Sequence, residues 1–305
     1  RQPVEIERQD TTLSDDHSDH LQDRSVLPTD GTPRCRRAIG SVAIMIINRP
    51  HGTTESDHFT GAVIKDGDDM EHVISKDQTP IAFERTGDGP LLVLVHGTGI
   101  DHTYWAPVLG SLERSFTVLS IDRRGRGSSG DADTYSLQRE FEDVATAIDY
   151  LGEPVFLVGH SYGALCSLEA SLLTPYVRKL VLYEPPIYTT IDIPYPADAL
   201  DRFNAFLDSG DAEGALEIVY EIGHAPAKEV ALQRSLPNWA ARIEATPTLP
   251  RELLGAREYK FVGSRFSGMK APVLLLVGEE TIPFYKEATK LLGDTLPNNR
   301  LSVLP

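Results

Sequence analysis

The sequence predicts an α/β fold, a mostly parallel sheet with helices on both faces and a helical cap inserted late in the chain. Three observations carry this expectation. Residues 91–95, 116–121, 154–158, 177–183, 273–277 and 301–304 are largely apolar runs bounded by turn residues, the pattern of strands buried on both faces. Helix-like stretches separate them, with 137–151 and 162–173 the clearest, and such alternation implies parallel pairing through right-handed crossovers. The interval 187–269 breaks the alternation: it holds no buried-strand run and shows helix-like segments at 197–208, 212–222, 239–245 and 251–259.

Residues 1–69 read differently from the rest. They are polar, as in Ser14-Asp15-Asp16-His17-Ser18-Asp19-His20, and keep no strand or helix period. They are expected to form a poorly ordered extension, with His17 and His20 in a solvated tail rather than a metal site. Arg34, Arg36 and Arg37 precede an apolar stretch at 38–47. The order is that of a secretion signal, but the stretch is internal and no small-residue cleavage site follows. It reads as a buried strand or as a translated stretch outside the native fold. The fold is expected to begin near Met70. Residues 70–186 form the first part of the core, opening with strands at 71–75 and 80–85. Residues 187–269 form the cap and 270–305 the second part of the core.

The formal net charge is −16. That excludes a nucleic-acid surface, which needs a basic patch, and docking on anionic lipid. Two cysteines, Cys35 and Cys166, make no disulfide framework, so a reducing, cytoplasmic setting is expected. No apolar run approaches the ~20 residues of a membrane helix. The expected partner is a small-molecule substrate, and oligomeric state is not readable.

Chemistry concentrates at Gly159-His160-Ser161-Tyr162-Gly163, which follows the strand 154–158 and opens a helix. The pattern G-x-S-x-G is that of a nucleophile elbow. A strand must become a helix within two residues, so Ser161 sits strained at the tip. Gly159 and Gly163 lack the Cβ atoms that would block the neighbouring backbone.

With this motif the chain, from Met70 onward, resembles the α/β-hydrolase fold family. His96-Gly97-Thr98-Gly99 after the strand 91–95 resembles that family's oxyanion loop. Asp122-Arg123-Arg124-Gly125-Arg126-Gly127-Ser128-Ser129 resembles its D-x-R-G-x-G-x-S turn. The resemblance implies Ser161 as nucleophile and the backbone N–H groups of Thr98 and Tyr162 as oxyanion donors, with no metal or cofactor. His96 is expected to brace the loop, and Asp122 and Arg124 to serve the turn and helix packing. The side chain of His160 is expected to point away from Ser161. Trp105 is expected to line the pocket or to pack under the loop, with packing preferred.

The same resemblance implies an acid after a late strand. Gly278-Glu279-Glu280-Thr281 follows 273–277, and Glu280 is the favoured candidate; Glu279, or Glu184 after 177–183, are the alternatives. The family's order is Ser, acid, His. None of the nine histidines follows Glu280. Two explanations stand: the chain, starting at Arg1 and stopping at Pro305, is cut before its base, or His102 or His224 takes that role. On the first, the chain hydrolyses activated esters poorly until a downstream histidine is restored, and Leu301 and Val303 lose the cover of a closing helix. The function expected is serine-type hydrolysis of a small carboxylic ester, thioester or lactone through an acyl-enzyme. The alternative is a non-catalytic ligand-binding protein on the same fold.

Overall fold

Among the described residues nine strands form one sheet in the order β1-β2-β3-β5-β4-β6-β7-β8-β9. They are β1 (Ile64–Lys65), β2 (Met70–Ile74), β3 (Pro80–Thr86), β4 (Leu91–Val95), β5 (Thr117–Ile121), β6 (Val155–His160), β7 (Val177–Tyr183), β8 (Val273–Gly278) and β9 (Asn299–Leu304). The computed structural model describes residues 64–65 and 70–305, apart from positions 192, 194, 195 and 224, and all of these belong to one compact unit. The greater part of the expected N-terminal extension, His17, His20 and the 38–47 stretch included, lies outside the described residues, as does His224. Ile64 and Lys65 pair with His72 and Glu71, so the sheet takes in two residues on the N-terminal side of Met70.

The pairings β1-β2, β2-β3 and β3-β5 are antiparallel and the remaining ones, from β5-β4 to β8-β9, are parallel. Central strand β4 shows why its sequence is continuously apolar. Val93 and Val95 enter one core, Leu92 and Leu94 the other, because successive side chains leave opposite faces. Helices α1 (Ala106–Leu112), α2 (Leu137–Leu151) and α3 (Tyr162–Ala170) cover the sheet, the first on the Leu92 face and the other two on the Val93 face.

Between β7 and β8 the chain forms α4 (Ala199–Asp208), α5 (Ala212–Ile222), α6 (Ala227–Arg234), α7 (Trp239–Ala245) and α8 (Leu249–Glu258). Phe203, Leu216, Ile218 and Leu249 belong to a third apolar cluster made by these helices. Helix α6 has no counterpart in the sequence reading, and the reason is visible: it buries no residue and so carries no apolar stripe. A last helix, α9 (Pro283–Thr295), packs Ala288 and Leu292 into the Val93-side core. On edge strand β9, Leu301 and Val303 are exposed while Leu304 is buried.

The strand order positions the site. From β4 the chain moves to β5 on one side, then to β6 on the other. Ligands of open parallel sheets bind outside the carboxyl ends of the strands at such a reversal. Here those ends are the 96–99 loop after β4 and Ser161 after β6.

Candidate active site

Ser161 is held at φ 52° and ψ −124°, a region that costs an L-residue about 1–3 kcal/mol. The flanking glycines make the bend possible. A Cβ on Gly159 would stand 2.4 Å from the Gly163 carbonyl oxygen, and one on Gly163 would stand 2.3 Å from the carbonyl oxygens of both Val95 and His96. The Ser161 N–H donates to the Tyr183 carbonyl at 2.8 Å, fastening the elbow to β7. The phenol of Tyr285, on α9, reaches the Ser161 hydroxyl, and burial followed by the charge of Glu184 pushes its pKa up. Tyr285 therefore stays protonated.

The oxyanion-type loop lies against the elbow, since a Cβ on Gly97 would meet the Ser161 Cβ at 3.0 Å. His96 braces it. Its Nε2 accepts the Arg123 N–H at 3.1 Å, so its Nδ1 carries the proton and donates to the Gly97 carbonyl at 2.8 Å. The Arg123 guanidinium donates to the same carbonyl at 3.1 Å. A planar trans peptide points its C=O and N–H in opposite directions. Two donors on the Gly97 oxygen therefore fix the Thr98 N–H on the side away from Arg123. Tyr162 is the first residue of α3, so its N–H has no acceptor within the helix. Its ring lies under Arg123 at 4.4 Å, and its hydroxyl is 2.7 Å from that of Tyr135.

The turn after β5 is a buried ionic knot. Arg124 donates to Asp143 and Asp77. Arg123 pairs with Glu140 at 2.8 Å and with Glu252, and Arg126 reaches Glu252 at 2.7 Å. Glu252 belongs to α8, so the helices between β7 and β8 are tied to this turn. Arg251, beside it, adds a two-pronged pair with Asp131 at 2.7 and 3.0 Å. Asp122 accepts from the N–H of His102, from its Nδ1 and from the Ser128 N–H, at 2.8, 2.8 and 2.9 Å. Asp101, His102 and Asp122 offer ligand atoms within 4.8 Å of one another. Asp101 caps Thr103, and the Asp122 carboxylate already carries three donors. This is the chemistry of a braced turn.

Burial, with Arg123 and Arg126 beside it, holds the His96 pKa well below 6.5. Burial and Arg242 lower that of His160 to about 4. Burial opposes the imidazolium of His102, but Asp122, Asp101 and Glu84 outweigh it and raise its pKa. Between pH 6.5 and about 4 the unfolded chain therefore binds more protons than the folded one at His96 and His160. Stability is expected to fall as pH drops through that window, by up to about 1.4 kcal/mol per pH unit for each group. His102 adds no slope there, since its contribution is lost only as pH rises through its elevated pKa. Urea unfolding at pH 7, 6 and 5 checks this, and a midpoint that does not move would contradict it.

Three carboxylates compete for the acid's role. Glu280 and Glu279 are exposed on the turn after β8, where the Glu279 N–H donates to Leu304. Glu184 directly follows β7 at φ 49°, and its Oε1 accepts the Gly278 N–H at 2.9 Å. Glu184 also acts on Tyr285, which touches Ser161. The structure therefore brings Ser161, Tyr285 and Glu184 into one group. Among the described residues no histidine nitrogen is bonded to the Ser161 hydroxyl. His96 and His102 are engaged as above, and His160 stacks between Tyr104 and Tyr183, each at 4.9 Å. Trp105 is buried in the Leu92-side core. Sequence reasoning missed Tyr285, Glu252 and Arg242. Their only local signal is membership of helices, because what matters about them is contact across the fold.

A sharp strand-to-helix turn bearing a serine, beside a glycine loop at the reversal of a parallel sheet, defines a hydrolase of α/β architecture. A sequence model of the "Alpha/beta hydrolase family" matches residues 92–297, and the chain belongs to that family. It is 29% identical over 227 residues, 71% of this chain and 85% of the relative, to the "Putative carbamate hydrolase RutD" of Pseudomonas savastanoi pv. phaseolicola. An alpha/beta hydrolase from Sphaerobacter thermophilus superposes with a TM-score of 0.68 at 35% identity, covering 77% of this chain and 92% of that one. The esterase RhEst1 from Rhodococcus sp. superposes at 0.61 with 22% identity over 77% and 90% of the two chains, which shows the shared fold. Among the described residues no helix is long and apolar enough to cross a membrane.

Proposed function

We propose that this hydrolase cleaves a small carboxylic ester, thioester or lactone through an acyl intermediate on Ser161. The observation that carries the reading is the strained elbow, with Gly97 packed against Ser161. Attack on the carbonyl builds negative charge on its oxygen. The N–H groups of Thr98 and Tyr162 receive that charge, the first held by the doubly bonded Gly97 carbonyl and the second free at the start of α3. One such donor is worth about 3–4 kcal/mol in the transition state. The addition product collapses by breaking the bond to the alcohol or thiol, which leaves carrying the Ser161 proton. Water then adds to the acyl group, releasing it as the acid and returning a proton to Ser161. A carbamate undergoes the same addition, and the RutD relative supports including it.

Glu184 is our choice for the acid in preference to Glu280. It is anchored by the Gly278 N–H and lies beside the group that touches Ser161, whereas Glu280 faces solvent. In a serine triad such a carboxylate orients an imidazole and stabilises the imidazolium, and among the described residues no imidazole is bonded to Ser161. Tyr285 is a hydrogen-bond partner of Ser161 and not its base, because its phenol stays protonated.

A fluorophosphonate probe is expected to modify the chain at Ser161, read by peptide mass spectrometry, and Ser161→Ala is expected to abolish the adduct. Glu184→Gln should slow labelling more than Glu280→Gln, since Glu184 acts on the Tyr285 phenol that touches Ser161. Absence of any adduct would favour a non-catalytic binding protein. Equal effects of the two glutamine variants would overturn the choice of acid.

A further inference from the structure

Among the described residues four arginines are buried, and three of them follow the rule that a buried guanidinium is paired. Arg123 has Glu140 and Glu252, Arg124 has Asp143 and Asp77, and Arg126 has Glu252. Arg242, on α7, is the exception. It is 9% exposed, and no carboxylate among the described residues pairs with it. Its Nη1 makes a long contact to the Gly99 carbonyl at 3.5 Å, the neutral Tyr220 phenol is in reach of the guanidinium, and its buried Nε has no partner. Proteins rarely leave a desolvated cation uncompensated, because the cost is several kcal/mol.

A second orphan borders the same loop. The Nδ1 of His160 is buried without a hydrogen-bond partner and lies 3.1 Å from where a Cβ on Gly97 would stand. The ring is clamped between Tyr104 and Tyr183, so it cannot turn away to find one. Arg242 acts on this imidazole electrostatically and helps to keep it neutral at pH 7, when a neutral ring can present its proton on Nδ1. The guanidinium reaches Gly99 and the imidazole nitrogen faces Gly97, which packs against Ser161, and Thr98 lies between these two residues in the chain.

We propose that Arg242 and His160 form a subsite for a carboxylate carried by the substrate. The substrates would then be short acids whose second acyl group is the one Ser161 attacks. This deepens the reading of Ser161 as nucleophile and rests on it for the reaction, though not for the binding. A protein of net charge −16 repels small anions at long range, so recognition of one has to come from a local, desolvated cation.

The test is calorimetric binding to the Ser161→Ala chain of monomethyl succinate and of its uncharged amide, methyl succinamate. The carboxylate is expected to bind at least tenfold more tightly. Arg242→Gln should equalise the two ligands, and Arg242→Lys should keep part of the preference. Without ligand, Arg242→Gln should leave the melting temperature unchanged or raise it, because it removes an unpaired buried charge. A structural arginine would instead lower it on removal. Equal binding of the two ligands, no measurable binding of the carboxylate, a preference that survives Arg242→Gln, or a sharp drop in melting temperature overturns the subsite. Arg242-dependent carboxylate binding in a chain whose Ser161 takes no phosphonate would uphold the subsite and overturn the nucleophile.

Discussion

Gly163→Ala is expected to cost more than about 4 kcal/mol and to leave little folded protein at 37 °C. The new Cβ would stand 2.3 Å from the carbonyl oxygens of Val95 and His96, and 2.8 Å from the Val95 carbonyl carbon. These are backbone atoms of the central strand β4 and of the loop that follows it. Overpacking against flexible side chains costs about 1–3 kcal/mol, because the neighbours rotate. Here the neighbour is a strand paired on both sides, with β5 and β6, and relief requires moving the sheet or tilting α3 off it. Losses of this size are exceptional and mark a specific structural fault. Tilting α3 would also carry the Tyr162 N–H away from Ser161, so any folded remainder should label slowly. Gly268→Ala is the control, since nothing lies within 4 Å of its Cβ position. Urea unfolding of the two variants decides the matter, and a Gly163→Ala chain as stable as the parent would show the elbow to be built differently.

What the sequence made legible follows from where the information lies. Strands β4 and β6 are buried on both faces, so their identity is written in consecutive residues, and the reading matched them closely. The elbow was legible for the same reason: the two glycines and the serine it needs are local. The acid was not. Glu280 has the expected position along the chain, but the features that favour Glu184 are a positive φ and a hydrogen bond from Gly278, 94 positions away. Arg123 shows the same limit. It occupies the unspecified position of the D-x-R-G-x-G-x-S turn, and nothing nearby reveals that it grips the Gly97 carbonyl. Helix α6 was missed because a helix with no buried side has no period to detect.

Glu252→Gln is expected to destabilise the chain by about 3–5 kcal/mol, out of a margin that is only about 5–15 kcal/mol for a domain. The carboxylate is fully buried, and it serves two guanidinium groups, Arg123 and Arg126. Glu140 alone would then have to balance both arginines, and it lies 3.6 Å from Arg126. The amide keeps the shape of the side chain, so the loss measured is that of charge. The effect should reach the active site as well. Arg123 is one of the two donors on the Gly97 carbonyl, and drawing it toward Glu140 loosens the peptide that carries the Thr98 N–H. Phosphonylation of Ser161 should therefore slow beyond what the fraction unfolded explains. Hydrogen exchange at 97–99 should rise in step. Replacing Glu252 and Arg123 together by leucine and methionine separates the two consequences. An apolar substitution of both partners removes much of the stranded charge and should recover part of the stability. It cannot restore a donor to Gly97, so slow labelling should persist. If instead labelling recovers along with stability, helix α8 supports the site by packing alone and the Arg123 contact contributes nothing to the proposed oxyanion donors.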